Sequence, residues 1–175
     1  NLKEWILDLK PDILVVVAFK ILPKTITDIP SLKAVNLHAS LLPKYRGAAP
    51  IHHALINGDT ATGNTTFLIQ PKVDTGNIIL QQKIDIKPND NFATLSKKMS
   101  ELGAELLVES LSVVENPDFK PMSQDDSVAT FAPKIDKSFG KIDWCESAHL
   151  IYSKIKALSF SPGTFTTING KRLKI

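Results

Sequence analysis

The sequence predicts an α/β protein, and three observations carry that prediction. Residues 13–19, ILVVVAF, are a continuous and mostly β-branched run, the pattern of a strand buried on both faces in a parallel sheet covered by helices. A second apolar strand, AVNLH at 34–38, follows through a short helical stretch, so strand, helix and strand form a βαβ unit. A long amphipathic helix runs from about Asn91 to Val114, with Leu95, Met99, Leu102 and Leu106 on one stripe that reads as core.

Taken in order, LKEWILDL at 2–9 has helical apolar spacing, broken by Lys10-Pro11-Asp12. After the first strand and Pro23, KTITDIP reads as a short helix ending before Pro30. APIHHALING at 49–58 is a helix with proline in its first turn and Gly58 as its stop. NTTFLIQ and NIILQQKIDI are strands separated by the loop PKVDTG. Residues 116–134 contain Pro117, Pro121, Pro133 and the polar run SQDDS, which mark a linker. Beyond it, WCESAHLIYSKIKAL reads as a helix starting at Ser147 or just before, and TFTTINGKRLKI as a hairpin turning at Asn169-Gly170. Two strands and one helix bury too little to be stable alone. The expected division is therefore a body at 1–115, a linker at 116–134 and the start of a second unit at 135–175. Both ends read as cut, and the 13–19 strand asks for more sheet neighbours than residues 1–90 supply.

The totals narrow the function classes. No run approaches the length of a membrane-spanning helix, and no secretory leader is visible. The single cysteine, Cys145, excludes an internal disulfide, fits a cytoplasmic protein and reads as a packed thiol. Residues 134–175 hold eight basic and three acidic residues, against 13 and 15 in residues 1–133. A basic tail is where a polyanion would land, although a solvated lysine-rich face explains the same charge. No metal is expected: His52 and His53 are adjacent and diverge on a helix, and no zinc-ligand spacing occurs. Dinucleotide, phosphate-loop and serine-hydrolase motifs are also missing.

The chemistry concentrates in NLHASLLPKYRGAAP, residues 36–50. Side chains alternate along a strand, so Asn36 and His38 share a face, about 7 Å apart. They sit at the carboxyl end of a strand, where open α/β sheets bind ligands. An amide and an imidazole so placed could address one carbonyl oxygen and stabilise an oxyanion at an acyl or formyl carbon. Pro43 stiffens the exit, Gly47 permits close backbone approach, and Lys44 and Arg46 add charge expected at the rim. Asp74, in the inter-strand loop VDTG, either closes its own turn or holds a carboxylate against His38, which would keep the imidazole cationic.

NLHASLLPKYRGAAP, the following ING and DTGNII resemble the folate-dependent formyltransferase family, and YRGAAPI points within it to the enzymes that formylate methionyl-tRNA. IDW and SPGTFTTINGKRLKI resemble the start of that group's C-terminal barrel. The resemblance implies a partial Rossmann-like domain with a mostly parallel sheet, followed by the beginning of a small OB-like barrel. It implies catalytic roles for Asn36, His38 and Asp74, and tetrahydrofolate contacts from Ser40, Leu41, Leu42 and Pro43. It further implies 10-formyltetrahydrofolate as cosubstrate, initiator methionyl-tRNA as acceptor, and a cytoplasmic monomer with no metal. The family often has a glycine after the aromatic residue of the first strand's exit. Here Phe19 runs directly into Lys20, so a tighter loop at the pterin is expected. Two other readings share the motif or the charge: a formyltransferase acting on an amino-sugar nucleotide, and a non-catalytic nucleic-acid-binding module.

Overall fold

β-Branched and apolar residues set the sheet. In a computed structural model describing residues 1–18 and 21–175, four strands lie in the order β1 (Ile13–Val17), β2 (Lys33–His38), β3 (Ala61–Leu68) and β4 (Ile78–Asp85). The helices are α1 (Leu2–Leu9), α2 (Lys24–Thr27), α3 (Pro50–Ile56), α4 (Phe92–Glu115) and α5 (Ala148–Leu158). A separate ribbon pairs β5 (Phe165–Ile168) with β6 (Lys171–Lys174).

The α/β class stands, but the sheet is mixed rather than mostly parallel. β1 and β2 run parallel, whereas β2–β3 and β3–β4 are antiparallel. The physical reason lies in the connections. Only the β1–β2 crossover, through α2, returns the chain to the same end of the sheet, while the loop 69–77 simply folds β4 back along β3. The expectation that ILVVVAF is buried on both faces is also corrected. β1 is an edge strand with one described neighbour, and Val15 and Val17 are 39 % and 50 % exposed. The expected loop tightening at Phe19-Lys20 lies outside the described residues.

β3 is buried along nearly its whole length although its centre, TGNTT, is polar. Three of its polar side chains bond internally. Asn64 donates to Met99 O at 2.8 Å, Thr65 donates to Ser40 O at 2.6 Å, and Thr66 and Ser110 share a hydroxyl contact of 2.6 Å. Most buried polar groups are paired in this way, whereas the buried Thr62 hydroxyl has no partner among the described residues.

α4 begins at a capping box, in which Asn91 accepts from Thr94 N and donates its own N–H to Thr94 Oγ1. Its buried face carries Leu95, Met99 and Leu106, as the apolar stripe predicts. Leu95 and Met99 join Leu55, Ile84, Ala157 and Leu158 in one core cluster. α5, capped by Ser147, contributes Ala157 and Leu158 to that cluster. The β5–β6 turn has Asn169 and Gly170 both at positive φ, 49° and 74°, the geometry of a two-residue hairpin loop, and the ribbon is consistent with the start of a barrel. Cys145 is exposed in the turn before α5, not packed. Among the described residues no helix is long and apolar enough to cross a membrane.

Candidate active site

The end of β2 delivers its side chains to the seam between three segments: the turn 39–49, the loop 69–77 and the stretch 122–132. His38 is buried, with its ring fixed from both sides. Nε2 lies 2.9 Å from Tyr45 O. A carbonyl can only accept, so Nε2 carries the proton. Nδ1, the nitrogen left to take up or release a proton, faces Asp74 Oδ2 at 3.7 Å. That is an ion-pair distance, longer than a direct hydrogen bond.

Asp74 is itself positioned closely. Its side chain is 11 % exposed, and Oδ2 accepts the Gly47 N–H at 2.8 Å. Asp74 occupies the left-handed region at φ 54°, as do Tyr45 at 60° and Gly47 at 123°. Non-glycine residues rarely adopt such angles, and they persist where surrounding contacts over-determine them. Tyr45 meets that condition at every polar atom. Its N–H donates to Thr130 Oγ1 at 2.9 Å, its hydroxyl donates to Asp59 at 2.7 Å and accepts from Asn57 at 2.9 Å, and its carbonyl holds His38. Burial, with the Asp59 carboxylate opposing the help from Asn57, pushes the phenol up to about 12.

Asn36 and Asp74 line one open cleft of about 120 Å³ with Val16, Leu22, Phe67 and Val73. No hydrogen bond joins the Asn36 side chain to another of the described residues. His38 stands just behind Asp74. The three residues singled out from the sequence are therefore brought together: two on the wall of the cleft and the third against one of them.

The four residues expected to touch folate are placed differently. None lines the cleft. Ser40 is fully buried and donates to Lys44 O at 2.5 Å. Leu42 is packed with Phe67 and Ile78, and its N–H donates to Thr65 Oγ1. Leu41 packs over Gly63 on β3, and Pro43 O accepts the Thr130 N–H. The turn faces inward because β3 offers it polar and apolar partners along its length. Arg46 is likewise no rim charge: it is 3 % exposed and binds Gln124 and Asp126, while Lys44 is the residue left in solvent.

Sequence reasoning missed Gln124, Thr130 and the buried role of Arg46. The one sequence signal for them was Tyr45-Arg46-Gly47 following the strand, since Gln124 and Thr130 lie in a stretch that reads as linker. Those residues are stitched down: Met122 exchanges two backbone hydrogen bonds with Ile78, and Arg46 exchanges bonds with Thr130 and Ala132. On α3, His52 stacks on Phe92 at 4.0 Å, and burial lowers its pKa. His52 and His53 turn their Nε2 atoms to the backbone carbonyls of Ser161 and Pro133.

A formyl transferase family model matches residues 1–111, and a model of the formyl transferase C-terminal domain matches residues 134–175. The chain belongs to the formyl transferase family. The resemblance read in NLHASLLPKYRGAAP is borne out. A methionyl-tRNA formyltransferase of Caldicellulosiruptor saccharolyticus is 50 % identical over 98 % of this chain, and one of Staphylococcus epidermidis is 46 % identical over 98 %. The chain spans about half the length of these relatives, 55 % and 56 %. Among solved structures, a 4-N formyltransferase from Francisella tularensis matches 96 % of this chain and 72 % of its own length, with TM-score 0.81 at 21 % identity. HypX from Aquifex aeolicus in complex with tetrahydrofolic acid matches 97 % of this chain and 30 % of its own, with TM-score 0.81 at 20 % identity. These two likenesses carry the fold alone.

Proposed function

We propose that the chain forms the formyl-transfer site of an enzyme that moves the formyl group of 10-formyltetrahydrofolate to the amino group of initiator methionyl-tRNA. The observation that carries this reading is the Asp74 carboxylate, held 3.7 Å from His38 Nδ1 on a cleft that Asn36 also lines. Half-identity to a methionyl-tRNA formyltransferase across almost the whole chain supports the choice of acceptor.

The folate-borne formyl group lies in the cleft. Its apolar wall, from Val16, Leu22, Phe67 and Val73, suits a flat conjugated ring. Attack of the acceptor amine on the formyl carbon places negative charge on the formyl oxygen. Asn36 donates to that oxygen, and the His38 ring behind Asp74 contributes through its pairing with that carboxylate. Asp74 orients the imidazole and takes the proton that the amine must lose, returning it toward the departing folate nitrogen. The Ser40–Pro43 turn serves by fixing β2 to β3, and contact with folate from its outer edge remains part of the reading. Residues 1–115 form the catalytic body, 116–134 join it to the next unit, and 135–175 begin a tRNA-facing barrel. The enzyme works as a cytoplasmic monomer and needs no metal.

The test is steady-state formyl transfer by the full-length protein carrying this sequence, with charged initiator tRNA and an amino-sugar nucleotide offered as rival acceptors. The tRNA is the preferred acceptor. Asn36→Ala and His38→Ala each lower kcat by about 10² or more; the first leaves the melting temperature little changed, whereas the second also lowers it by emptying a buried position that holds the Tyr45 carbonyl. Wild-type turnover in either variant would remove the role assigned to that residue. Preference for the sugar amine would replace the acceptor, and absence of folate binding would favour a non-catalytic nucleic-acid module.

A further inference from the structure

Asp74 is held from two directions by neighbours in the sequence, Arg46 and Gly47. Gly47 reaches the carboxylate directly through its N–H. Arg46 reaches the backbone of the same residue through an intermediary. Its buried guanidinium donates from Nε at 3.1 Å and from a terminal nitrogen at 2.7 Å to Gln124 Oε1. The same terminal nitrogen contacts Asp126 Oδ1 at 2.7 Å, so the buried cation is balanced by a carboxylate that stays 67 % exposed.

A guanidinium only donates, which fixes the oxygen of the Gln124 amide toward Arg46. The nitrogen must then face the other way, and it donates to Asp74 O at 3.0 Å and to Gly76 O at 2.7 Å. The first is the carbonyl of Asp74 itself and the second lies two residues on, so the amide pins the C-terminal side of the residue whose φ of 54° needs support. Only a side chain with an acceptor at one end and two donors at the other can join a buried guanidinium to two backbone carbonyls, and glutamine is such a group. Neither Arg46 nor Gln124 lines the cleft, whereas Asp74 does, so the two act on the reaction through Asp74 and not on substrate.

We propose that Gln124, locked by Arg46, is a positioning residue: it holds the Asp74 peptide in its left-handed conformation and thereby sets the carboxylate-to-imidazole distance. The inference rests on the catalytic reading of Asp74 above.

Two substitutions separate positioning from mere support of the fold. Gln124→Glu keeps an acceptor for Arg46 but presents oxygen to the Asp74 and Gly76 carbonyls. Gln124→Met removes both ends. Ser147→Ala, which loosens the α5 cap far from the cleft, serves as a destabilised control. In the full-length protein, kcat falls about 10- to 100-fold in both Gln124 variants, the KM values stay within about twofold, and Gln124→Glu melts no lower than Gln124→Met. The 15N shifts of the His38 ring move in both Gln124 variants and stay fixed in the control. Wild-type kcat in Gln124→Glu, or kcat losses that simply follow melting temperature across all three variants, overturns the inference. If the wild-type protein transfers no formyl group, the functional reading fails, and the His38 ring shifts alone decide whether Gln124 positions Asp74.

Discussion

Gly47→Ala is the substitution whose consequences can be worked most fully from the geometry. A Cβ on Gly47 would stand 2.7 Å from Ala132 O and 3.2 Å from its carbonyl carbon, at a φ of +123°. An L side chain at that angle costs about 1–3 kcal/mol in backbone strain. The obstructing atom is backbone, held between Ala49 N and the rest of the 130–132 segment, so no rotamer change relieves the contact. Restoring an ordinary separation requires a movement of roughly 0.7 Å, at an overpacking cost of about 1–3 kcal/mol. The expected loss of stability is therefore about 2–6 kcal/mol, read from urea unfolding followed by circular dichroism. Gly170→Ala isolates the strain component, because Gly170 is at φ +74° with nothing within 4 Å of its would-be Cβ. It should lose only about 1 kcal/mol. Function should suffer beyond stability. The Gly47 N–H that holds Asp74 moves with the backbone, and a displacement near 1 Å at a positioning group costs up to about 10² in rate. Formyl transfer is measured at a temperature where the variant remains folded. A Gly47→Ala protein as stable as Gly170→Ala, with wild-type turnover, would refute the argument that this glycine holds the strap, residues 122–132, and Asp74 together.

Two other outcomes are expected. Tyr45 holds its proton to about 12 when folded, against 10.0 for an ordinary phenol, because it is buried and faces Asp59. Its folded pKa is raised, so its contribution is intact below pH 10 and is lost as pH rises through about 12, at most about 2 kcal/mol. Tyr45→Phe should flatten the alkaline loss of stability in that window, and an unchanged alkaline limb would contradict the assignment. On β6, Lys171, Arg172 and Lys174 are exposed, with Arg172 stacked 3.7 Å over the Phe165 ring. If this ribbon faces tRNA, neutralising all three lowers the slope of log affinity against log salt by about 2 to 3, whereas an unchanged slope returns them to a solvated edge.

The parts of the fold that follow from periodicity were legible in the sequence. α4 announced itself through the stripe from Leu95 to Leu106, and the β5–β6 turn through Asn169-Gly170, since both depend on local chemistry. β3 was only half visible. The strand read from the sequence starts only at Asn64, whereas β3 starts at Ala61, and its polar centre is buried because the partners of Asn64 and Thr65, Met99 and Ser40, come from elsewhere in the chain. The opposite error arose at β1, whose apolar run suggested burial that one neighbouring strand cannot provide. At the candidate site, Asn36, His38 and Asp74 stood out by residue type and by motif. Their supports did not, because arginine and glutamine are ordinarily surface residues and neither pattern nor spacing reveals that Arg46 is buried.

The stretch 116–134 shows why composition misleads about the role of a segment. Its prolines and its run of serine and aspartate are what a flexible connector contains, and it falls almost wholly between the two regions that the family models match. Yet its backbone meets Ile78 at one end and Arg46 and Ala49 at the other, and its Gln124 reaches across 50 residues to Asp74. Few of its side chains enter the core, Ala132 being the buried exception. Hydrogen bonds at the periphery hold it, and such segments open at lower free energy than the helices and strands they cover. The consequence for catalysis is asymmetric. Loss of the strap would leave the Leu95–Met99–Leu158 core standing while removing the contacts that hold Tyr45, Gly47 and Asp74 in their left-handed conformations. The site is thus built from a rigid strand end, at Asn36 and His38, and a carboxylate whose position is set by the least deeply anchored part of the body.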